Sequence, residues 1–203
     1  MKTRERILEC ALRLFNERGE PNVTPLDIAT ELGISPGNLY YHFHGKEPLV
    51  QGLFLRFDEA LEPLLDPPSD VLLGTDDFWL FLHLIVERMA HYRFLFQDLS
   101  NLAGRFPKLA RGIRSLLQDL KKTLAALLSN LDEQGALISR PDAQHALVEQ
   151  IVLTLLFCLD YQRVLGREGE VSQVVYQTMM LMAPHFEPDT RGEVEVLAAS
   201  YAA

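Results

Sequence analysis

The side chains best suited to contact another molecule lie in one short segment, residues 24–43, TPLDIATELGISPGNLYYHF. The carboxamide of Asn38 can donate and accept hydrogen bonds in one plane, which is the pairing that adenine offers in the major groove of DNA. The Tyr41 hydroxyl and the His42 imidazole are further polar groups with no core to enter. The segment therefore carries the polar groups of a surface that contacts another molecule, and base recognition in DNA is one function that they allow.

Two short helices are predicted to hold these side chains, and the first begins after Thr24. The Thr24 hydroxyl can cap free backbone N–H groups, Pro25 suits the first helical position, and Asp27 complements the positive end of the helix dipole. Gly33 supplies the left-handed residue that ends this helix.

The second helix is predicted to begin after Ser35, with Pro36 in its first turn. Leu39 and Phe43, four residues apart, form its buried stripe, while its other face carries small and polar groups with no core to enter. Two short helices joined by a Gly-containing turn, the second displaying polar groups, are typical of a helix-turn-helix. The same pattern also fits an ordinary helical hairpin inside an α-bundle.

The longer run TPLDIATELGISPGNLYYHFHGKEPLV follows a helix that ends in the segment from Phe15 to Gly19. This combination resembles the DNA-binding domain of the TetR/AcrR family of bacterial transcriptional regulators over roughly residues 3–50. Pro36 departs from the family pattern, because many members have Lys or Gln there, and leaves an apolar contact such as one with a thymine methyl group. Carried over position by position, the resemblance implies DNA contacts from Thr24, Pro36, Gly37, Asn38, Tyr40, Tyr41, His42 and Lys46.

Several of these residues also have a purely structural interpretation. Thr24 caps a helix whether or not it meets a phosphate, and Asn38 suits a capping position at the start of its helix. Gly37 either lets the backbone approach DNA or merely tolerates the turn. Lys46, at the start of a fourth helix, matches a residue that clamps the DNA backbone.

The net charge of −9 is unfavourable for a protein that binds an anion. The first 52 residues carry six Lys and Arg against seven Asp and Glu, so most of the negative charge lies in the remainder of the chain. We therefore expect hydroxyls, backbone N–H groups and helix N-termini to make most phosphate contacts. Binding should then depend only weakly on salt.

Other features of the composition predict a cytoplasmic protein without a membrane partner. The longest apolar stretch, Ile151 to Leu159, is too short to span a bilayer, and no export signal opens the chain. Cys10 and Cys158 lie far apart in helical segments, which suits a reducing compartment better than a disulfide scaffold.

The predicted fold class is all-α, because apolar residues recur at helical spacing and no segment alternates with period two. We predict an N-terminal three-helix, helix-turn-helix DNA-binding domain at residues 1–46, with its motif at 24–43. A larger C-terminal helical domain for ligand binding and dimerisation follows at residues 47–203. The fourth helix is predicted to run to about Leu61 or Leu65, where Pro63 and the Pro67-Pro68 pair end it. A break is predicted from about Asn101 to Pro107.

A helix predicted at about residues 143–165 lacks a polar face in its middle, and a later helix from Val171 carries another apolar stripe. Such helices can bury one side in their own subunit and the other against a twofold mate, or form the centre of a monomeric bundle. TetR-like proteins dimerise through their last two long helices, so the resemblance favours a homodimer. The predicted seam consists of Ile151, Leu155, Cys158, Leu159, Val171, Val174, Val175, Met179 and Met182.

Aromatic and polar residues of the larger domain are candidates to line an effector cavity. His83 and His91 share a helix face with Glu87, but no metal-binding motif accompanies them, so neither a metal nor a cofactor is expected. No nucleophile elbow, phosphate loop or dinucleotide fingerprint occurs, so no enzyme is expected. The candidate ligand contacts are Trp79, His83, Arg88, His91, Tyr92, Phe96, Phe157 and Tyr161.

The resemblance implies a repressor that binds a palindromic operator in double-stranded DNA as a homodimer and that an unknown small-molecule effector releases. Effector binding would tilt the fourth helix and change the separation of the two recognition helices. Two alternatives from other classes remain. One is an all-α enzyme that uses the larger cavity, and the other is a protein-interaction module that uses the face of Tyr40 and Tyr41.

Overall fold

A computed structural model describes residues 2–66, 74–138, 141–167 and 170–201 of the chain. These ranges contain ten α-helices and no strand, which confirms the all-α fold class. The helices are α1 (Thr3–Arg18), α2 (Pro25–Glu31), α3 (Pro36–His42), α4 (Lys46–Leu65), α5 (Thr75–His91), α6 (Leu99–Arg105), α7 (Pro107–Glu133), α8 (Pro141–Val164), α9 (Val171–Met182) and α10 (Pro188–Tyr201). Short 3-10 turns occupy Glu20–Asn22, Arg93–Leu95 and Ala183–His185.

Helices α1, α2 and α3 form a small unit around one apolar cluster. The chain reverses between α2 and α3 at Gly33, whose φ of 63° is the left-handed conformation that glycine adopts without strain. The N–H of Ile34 donates to the Ala29 carbonyl at 3.0 Å and closes the turn. Ile28 and Leu39 are fully buried in the same core cluster as the apolar residues of α1, so the two short helices are held by packing rather than by their own stability.

Helix α4 continues through Pro63 and ends at Leu65, the later of the two predicted ends. A proline in the last turn of a helix removes only one N–H donor, the one that would bond the carbonyl of Glu59. The helix closes beyond it with a hydrogen bond from the Asp66 N–H to the Glu62 carbonyl at 3.2 Å. The predicted stop at the Pro67-Pro68 pair lies outside the described residues.

The predicted break between Asn101 and Pro107 is shorter than expected, because α6 occupies most of that range and the chain leaves the helix only at Phe106. Leu102 is fully buried, and the Asn101 side chain donates to the Asp98 carboxylate at 2.7 Å near the start of the helix. Burial of one leucine can outweigh the weak helix propensity of the neighbouring polar and glycine residues. Only Phe106 separates α6 from the long helix α7.

The larger part of the molecule is a bundle in which α5 packs on α9, α9 on α10, and α8 on both α7 and α9. Helix α4 joins this bundle to the small unit, since it packs against α1 as well as α5 and α7. Its close approach to α7 depends on Gly112, where a Cβ atom would lie 2.4 Å from the Phe54 ring. Movement of α4 is thereby coupled to both parts of the chain.

Acidic side chains of α4 and α7 converge on one side of this contact. Burial raises the pKa of the Asp58 carboxyl above its ordinary value, and the negative charges of Asp119, Glu62 and Glu59 raise the pKa further. Lys122 is the cation that lines the same cleft. At neutral pH the ionised cluster therefore opposes the packing of α4 on α7.

The substitution Asp58→Asn is expected to raise the melting temperature at pH 7 by about 1–3 °C. The ionised form is disfavoured in the folded state, so its cost grows as pH rises from the unfolded-state pKa through the raised folded-state pKa. The gain should accordingly shrink towards pH 4 in thermal unfolding measured from pH 4 to pH 8. Asp132→Asn, at an exposed site on α7, serves as the control; a gain that does not vary with pH would contradict this account.

Candidate nucleic-acid interface

Helix α3 presents a polar face to solvent and is fixed by two apolar anchors. Leu39 and Phe43 are buried against the small unit's core. On the opposite face the side chains of Asn38 and Tyr40 are exposed, and Tyr41 is 80% exposed. A helix held from behind with such a face outward has the geometry of a recognition helix.

The cap of α3 leaves the Asn38 carboxamide free. The Ser35 hydroxyl accepts the hydrogen bond from the Asn38 backbone N–H at 3.2 Å, so Ser35 supplies the cap. Within the described chain the Asn38 side chain has no hydrogen-bond partner. Its carboxamide is thus available to a base edge, and the capping interpretation of that side chain finds no support in the contacts.

The cap of α2 is reciprocal and uses both polar groups of Thr24. The Asp27 N–H donates to Thr24 Oγ1 at 3.2 Å, while the Thr24 hydroxyl and N–H donate to Asp27 Oδ2 at 2.6 and 2.7 Å. These bonds, the side-chain one first, lower the pKa of the Asp27 carboxyl. A phosphate at Thr24 would have to compete with Asp27 for the same donors.

Two tyrosines of α3 contact histidine rings, His42 at the end of the helix and His44 just beyond it, rather than entering the core. The Tyr41 and His42 rings lie edge to face with centroids 5.2 Å apart, and Tyr40 and His44 do so at 5.0 Å. Tyr40 is 58% exposed and His42 is half-buried, while Pro36 and Gly37 are exposed at the start of the helix. The predicted contact residues of α3 therefore share one accessible surface.

Lys46 is placed differently from the free clamp that the sequence predicts. Its ammonium donates to the Glu20 carbonyl at 2.8 Å and lies 3.4 Å from both the Pro21 carbonyl and Glu20 Oε1. The Glu20 side chain is fully buried, and its second oxygen accepts from Arg105 of α6. Lys46 thus joins α4 to the 3-10 turn after α1, and Glu20 extends that link to α6.

A second polar link also ties the small unit to the bundle. The Asn16 side chain donates to the His91 carbonyl at 2.8 Å and accepts from the Phe94 N–H at 3.1 Å. The rings of Phe15 and Phe94 pack beside it, with centroids 5.2 Å apart. The sequence interpretation missed Asn16, Glu20 and Arg105, because their partners lie 75 to 85 residues away along the chain.

The substitution Glu20→Gln is expected to lower the free energy of unfolding by about 1–2 kcal/mol. It keeps the shape of the buried side chain but removes the charge that Arg105 and Lys46 both face. Urea unfolding would measure the loss. Glu17→Gln is the matched control, because Glu17 pairs with Arg13 on the exposed surface of α1 and should cost only a few tenths of a kcal/mol. Equal losses for the two variants would refute the role assigned to Glu20.

The predicted seam residues lie mostly inside the protomer. All except the half-buried Val171 are buried in its own core, where α8 and α9 pack on each other and on α5 and α7. Burial also raises the pKa of the Cys158 thiol to about 12, as expected for a packed cysteine. Helix α8 also has an exposed apolar face, formed by Leu153, Phe157, Tyr161 and Val164.

The exposed face of α8 can be recognised in the sequence from the spacing of its residues. Its four residues follow one another at spacings of four, four and three, so they form one stripe along α8. Of the described residues, only the segment Ala143–Val164 is long and apolar enough to span a membrane, and 39% of its most apolar window is buried. Because core helices of soluble proteins pass the same test, that result is weak evidence for a membrane span.

The predicted effector contacts do not converge on one cavity. Trp79 is buried against Phe78 and Phe186, with centroids 4.9 and 5.9 Å away, and His83 lies against Tyr201 at 5.8 Å. Four other candidates, Arg88, His91, Phe157 and Tyr161, are exposed, and the last two lie on the α8 face. Tyr92 and Phe96 are buried around the ring of Phe57, at 5.6 and 5.4 Å.

Beside Phe57 and Phe96 the bundle encloses a small apolar cavity of about 20 Å³. Helices α4, α6, α7 and α8 line it through Phe54, Leu99, Ile113, Leu116, Leu117 and Leu156, together with Leu95. Small-molecule sites usually measure about 300–1,000 Å³, so the bundle would have to open to admit an effector here. No group of three or more potential metal ligands occurs in the described ranges.

The helix-turn-helix with its exposed α3 defines a DNA-binding protein of the transcription-regulator class. The chain belongs to the TetR family of bacterial transcriptional regulators, which confirms the resemblance. The family model described as "Bacterial regulatory proteins, tetR family" matches residues 7–53, and that described as "Bacterial transcriptional repressor" matches residues 56–194. The prediction of a DNA-binding transcriptional regulator is thereby confirmed.

Individual relatives agree with this assignment. The HTH-type regulator UidR of Escherichia coli K12 is 24% identical over 155 residues, covering 76% of this chain and 78% of UidR. IcaR of Staphylococcus aureus strain Newman, a negative regulator of the biofilm operon icaADBC, is 26% identical over 148 residues, covering 71% and 78%. A TetR-family regulator from Marinobacter aquaeolei VT8 superposes with a TM-score of 0.90 at 29% identity over 99% of both chains.

Proposed function

We propose that the chain is a repressor that binds a palindromic operator as a homodimer and leaves it when a small molecule binds. The observation that carries the proposal is the exposed surface of Asn38 and Tyr41 on α3, which is held from behind by Leu39 and Phe43. We assign direct base contact to Asn38 and phosphate contacts to Tyr40, Tyr41 and His42.

Homodimerisation is supported by the apolar face of α8. Two copies of this stripe, packed about a twofold axis, would remove Leu153, Phe157, Tyr161 and Val164 from water and form a four-helix seam with α9. Met180 of α9 is also exposed and would extend the contact. A dimer of this kind would place two α3 helices in successive major grooves about 34–36 Å apart.

Release by an effector would act through α4. The cavity beside Phe57 touches α4, α6 and α7, so a molecule that expands it must displace at least one of them. A shift of α4 would be transmitted to the 3-10 turn at Glu20 by Lys46 and to α1 by the packing of α4 on α1. Helix α3 would follow, because only residues 43–45 join it to α4. Because linkage is reciprocal, an effector that weakens DNA binding must itself bind the DNA-bound form less well.

Repression of transcription and the cellular location are part of the same proposal. IcaR is described as a negative regulator, and we propose that this chain also represses transcription. We place the protein in the cytoplasm, where its DNA partner is, and assign it no catalytic reaction. The domain boundary between residues 46 and 47 likewise belongs to the proposal. It lies in the first turn of α4, which begins at Lys46.

Selection of bound fragments from sheared bacterial genomic DNA by the purified protein tests the proposal. We expect recovery of fragments that share an inverted repeat with half-sites one helical turn apart, and two protomers per fragment by analytical ultracentrifugation. Recovery of DNA without any common sequence, or a single protomer per site, would contradict it.

A further inference from the structure

A cleft at the junction of the small unit and the bundle gathers an unusual number of arginines. Its volume is about 540 Å³, within the range of small-molecule sites. Three elements meet there: the end of α1, the end of α5 with the turn that follows it, and the end of α8. The lining residues are Asn16, Glu17, Arg18, Gly19, Ala90, Arg93, Gln97, Arg163 and Arg167.

Within the described ranges this cleft has an excess of positive charge. None of the four arginine guanidiniums forms an ion pair with a described residue, and Arg163 Nη1 donates to the Gln97 carbonyl at 3.5 Å. Among the described lining residues Glu17 is the only acidic one, and it already pairs with Arg13 at 3.2 Å. Four unpaired cations in one cleft stand out in a chain whose net charge is −9.

The helix ends that meet at the cleft do not account for this charge. Cations near a helix C-terminus offset its partial negative charge, about −0.5 for each helix, or roughly −1.5 for three. Four full positive charges exceed that amount, so the cleft retains a positive field. Arginine is also the side chain that binds phosphate or carboxylate groups through two parallel hydrogen bonds.

Two of the arginines are positioned by a rigid helix end. Gly166, with φ of 71°, terminates α8, and its N–H donates to the Arg163 carbonyl at 2.9 Å. The Arg167 N–H donates to the carbonyl of the buried Gln162, also at 2.9 Å. This pair of backbone hydrogen bonds is the Schellman motif, which fixes the backbone of Arg163 and Arg167 on one turn beside the cleft.

We propose that this cleft binds a small molecule with several negative charges, of the polyphosphate or polycarboxylate type. Arg18 belongs to the small unit, whereas Arg93, Arg163 and Arg167 belong to the bundle. The bound anion bridges the two parts of the chain beside the Asn16 link. This site is separate from the apolar cavity at Phe57 and does not depend on operator binding.

Isothermal titration of the full-length protein with inorganic pyrophosphate and with citrate, at matched ionic strength, tests the proposal. We expect saturable binding of at least one of them, at least tenfold weaker in the double variant Arg93→Gln, Arg163→Gln. The control Arg111→Gln, Arg114→Gln removes the same charge from exposed positions on α7 and should bind within twofold of the wild type. Pyrophosphate binding alone assigns a phosphate ligand, and citrate binding alone assigns a carboxylate ligand.

Absence of binding by both probes overturns the proposal, as does equal loss in the two double variants. When neither anion binds, the affinity of the Arg93, Arg163 variant for operator DNA shows what the cleft does instead. A loss of tenfold or more would mean that the cleft contacts the DNA backbone. Circular dichroism spectra of both variants should match the wild type. Because anion binding is measured without DNA, failure of operator binding leaves this result unaffected.

Discussion

Replacing Asn38 and Tyr41 together by alanine is expected to lower operator affinity by about two orders of magnitude. A bidentate contact between a carboxamide and adenine contributes about 1–3 kcal/mol of discrimination, and a lost phosphate contact adds to this. Both side chains are exposed, and Asn38 caps nothing, so folding and oligomeric state should not change. Fluorescence anisotropy with an operator duplex, alongside thermal unfolding, measures the two effects.

Gln118→Ala provides the matched control for this experiment. It removes an exposed carboxamide from α7, far along the chain from α3, and should leave operator affinity within twofold. The single variant Asn38→Ala should also lose preference for adenine at one position of each half-site, whereas Tyr41→Ala should weaken binding to all sequences alike. If the double variant binds the operator as tightly as the wild type, α3 is not the recognition helix.

The double substitution Phe157→Glu, Tyr161→Glu is expected to convert the proposed dimer to a monomer. The residues are 45% and 55% exposed in the protomer and lie at the centre of the α8 stripe, so two like charges per copy would meet across the twofold axis. Operator affinity should fall by 10² or more, because the second half-site is no longer bound by a tethered partner. Sedimentation velocity and anisotropy measure the two changes.

Two comparisons separate this result from general damage. Leu80→Glu with Val196→Glu also replaces exposed apolar residues, on α5 and α10, and should leave the dimer intact. Leu155→Glu instead places a charge in the protomer core and should unfold the protein, since Leu155 is fully buried. A Phe157, Tyr161 variant that still sediments as a dimer would assign the seam to another surface.

Correct and incorrect sequence predictions differ in the range of the interactions behind them. The start of α2 and of α3 follows from Thr24, Asp27 and Ser35, whose capping partners lie only three residues away. Helix α6 depends on the burial of Leu102 in the core, so local signals predicted a longer break there than the structure has. Propensity is a weak guide wherever tertiary burial decides the outcome.

The sequence by itself determined the helix-turn-helix, because caps, turn glycine and the polar face of α3 are all encoded within about twenty residues. It also indicated that α8 is apolar around its circumference, but not which side each residue faces. Only the tertiary structure decided that Ile151 and Leu155 point inward while Phe157 and Tyr161 point to solvent. It alone brought Glu20 to Arg105 and four arginines to one cleft, since the long-range packing of helices, not the local sequence, sets those distances.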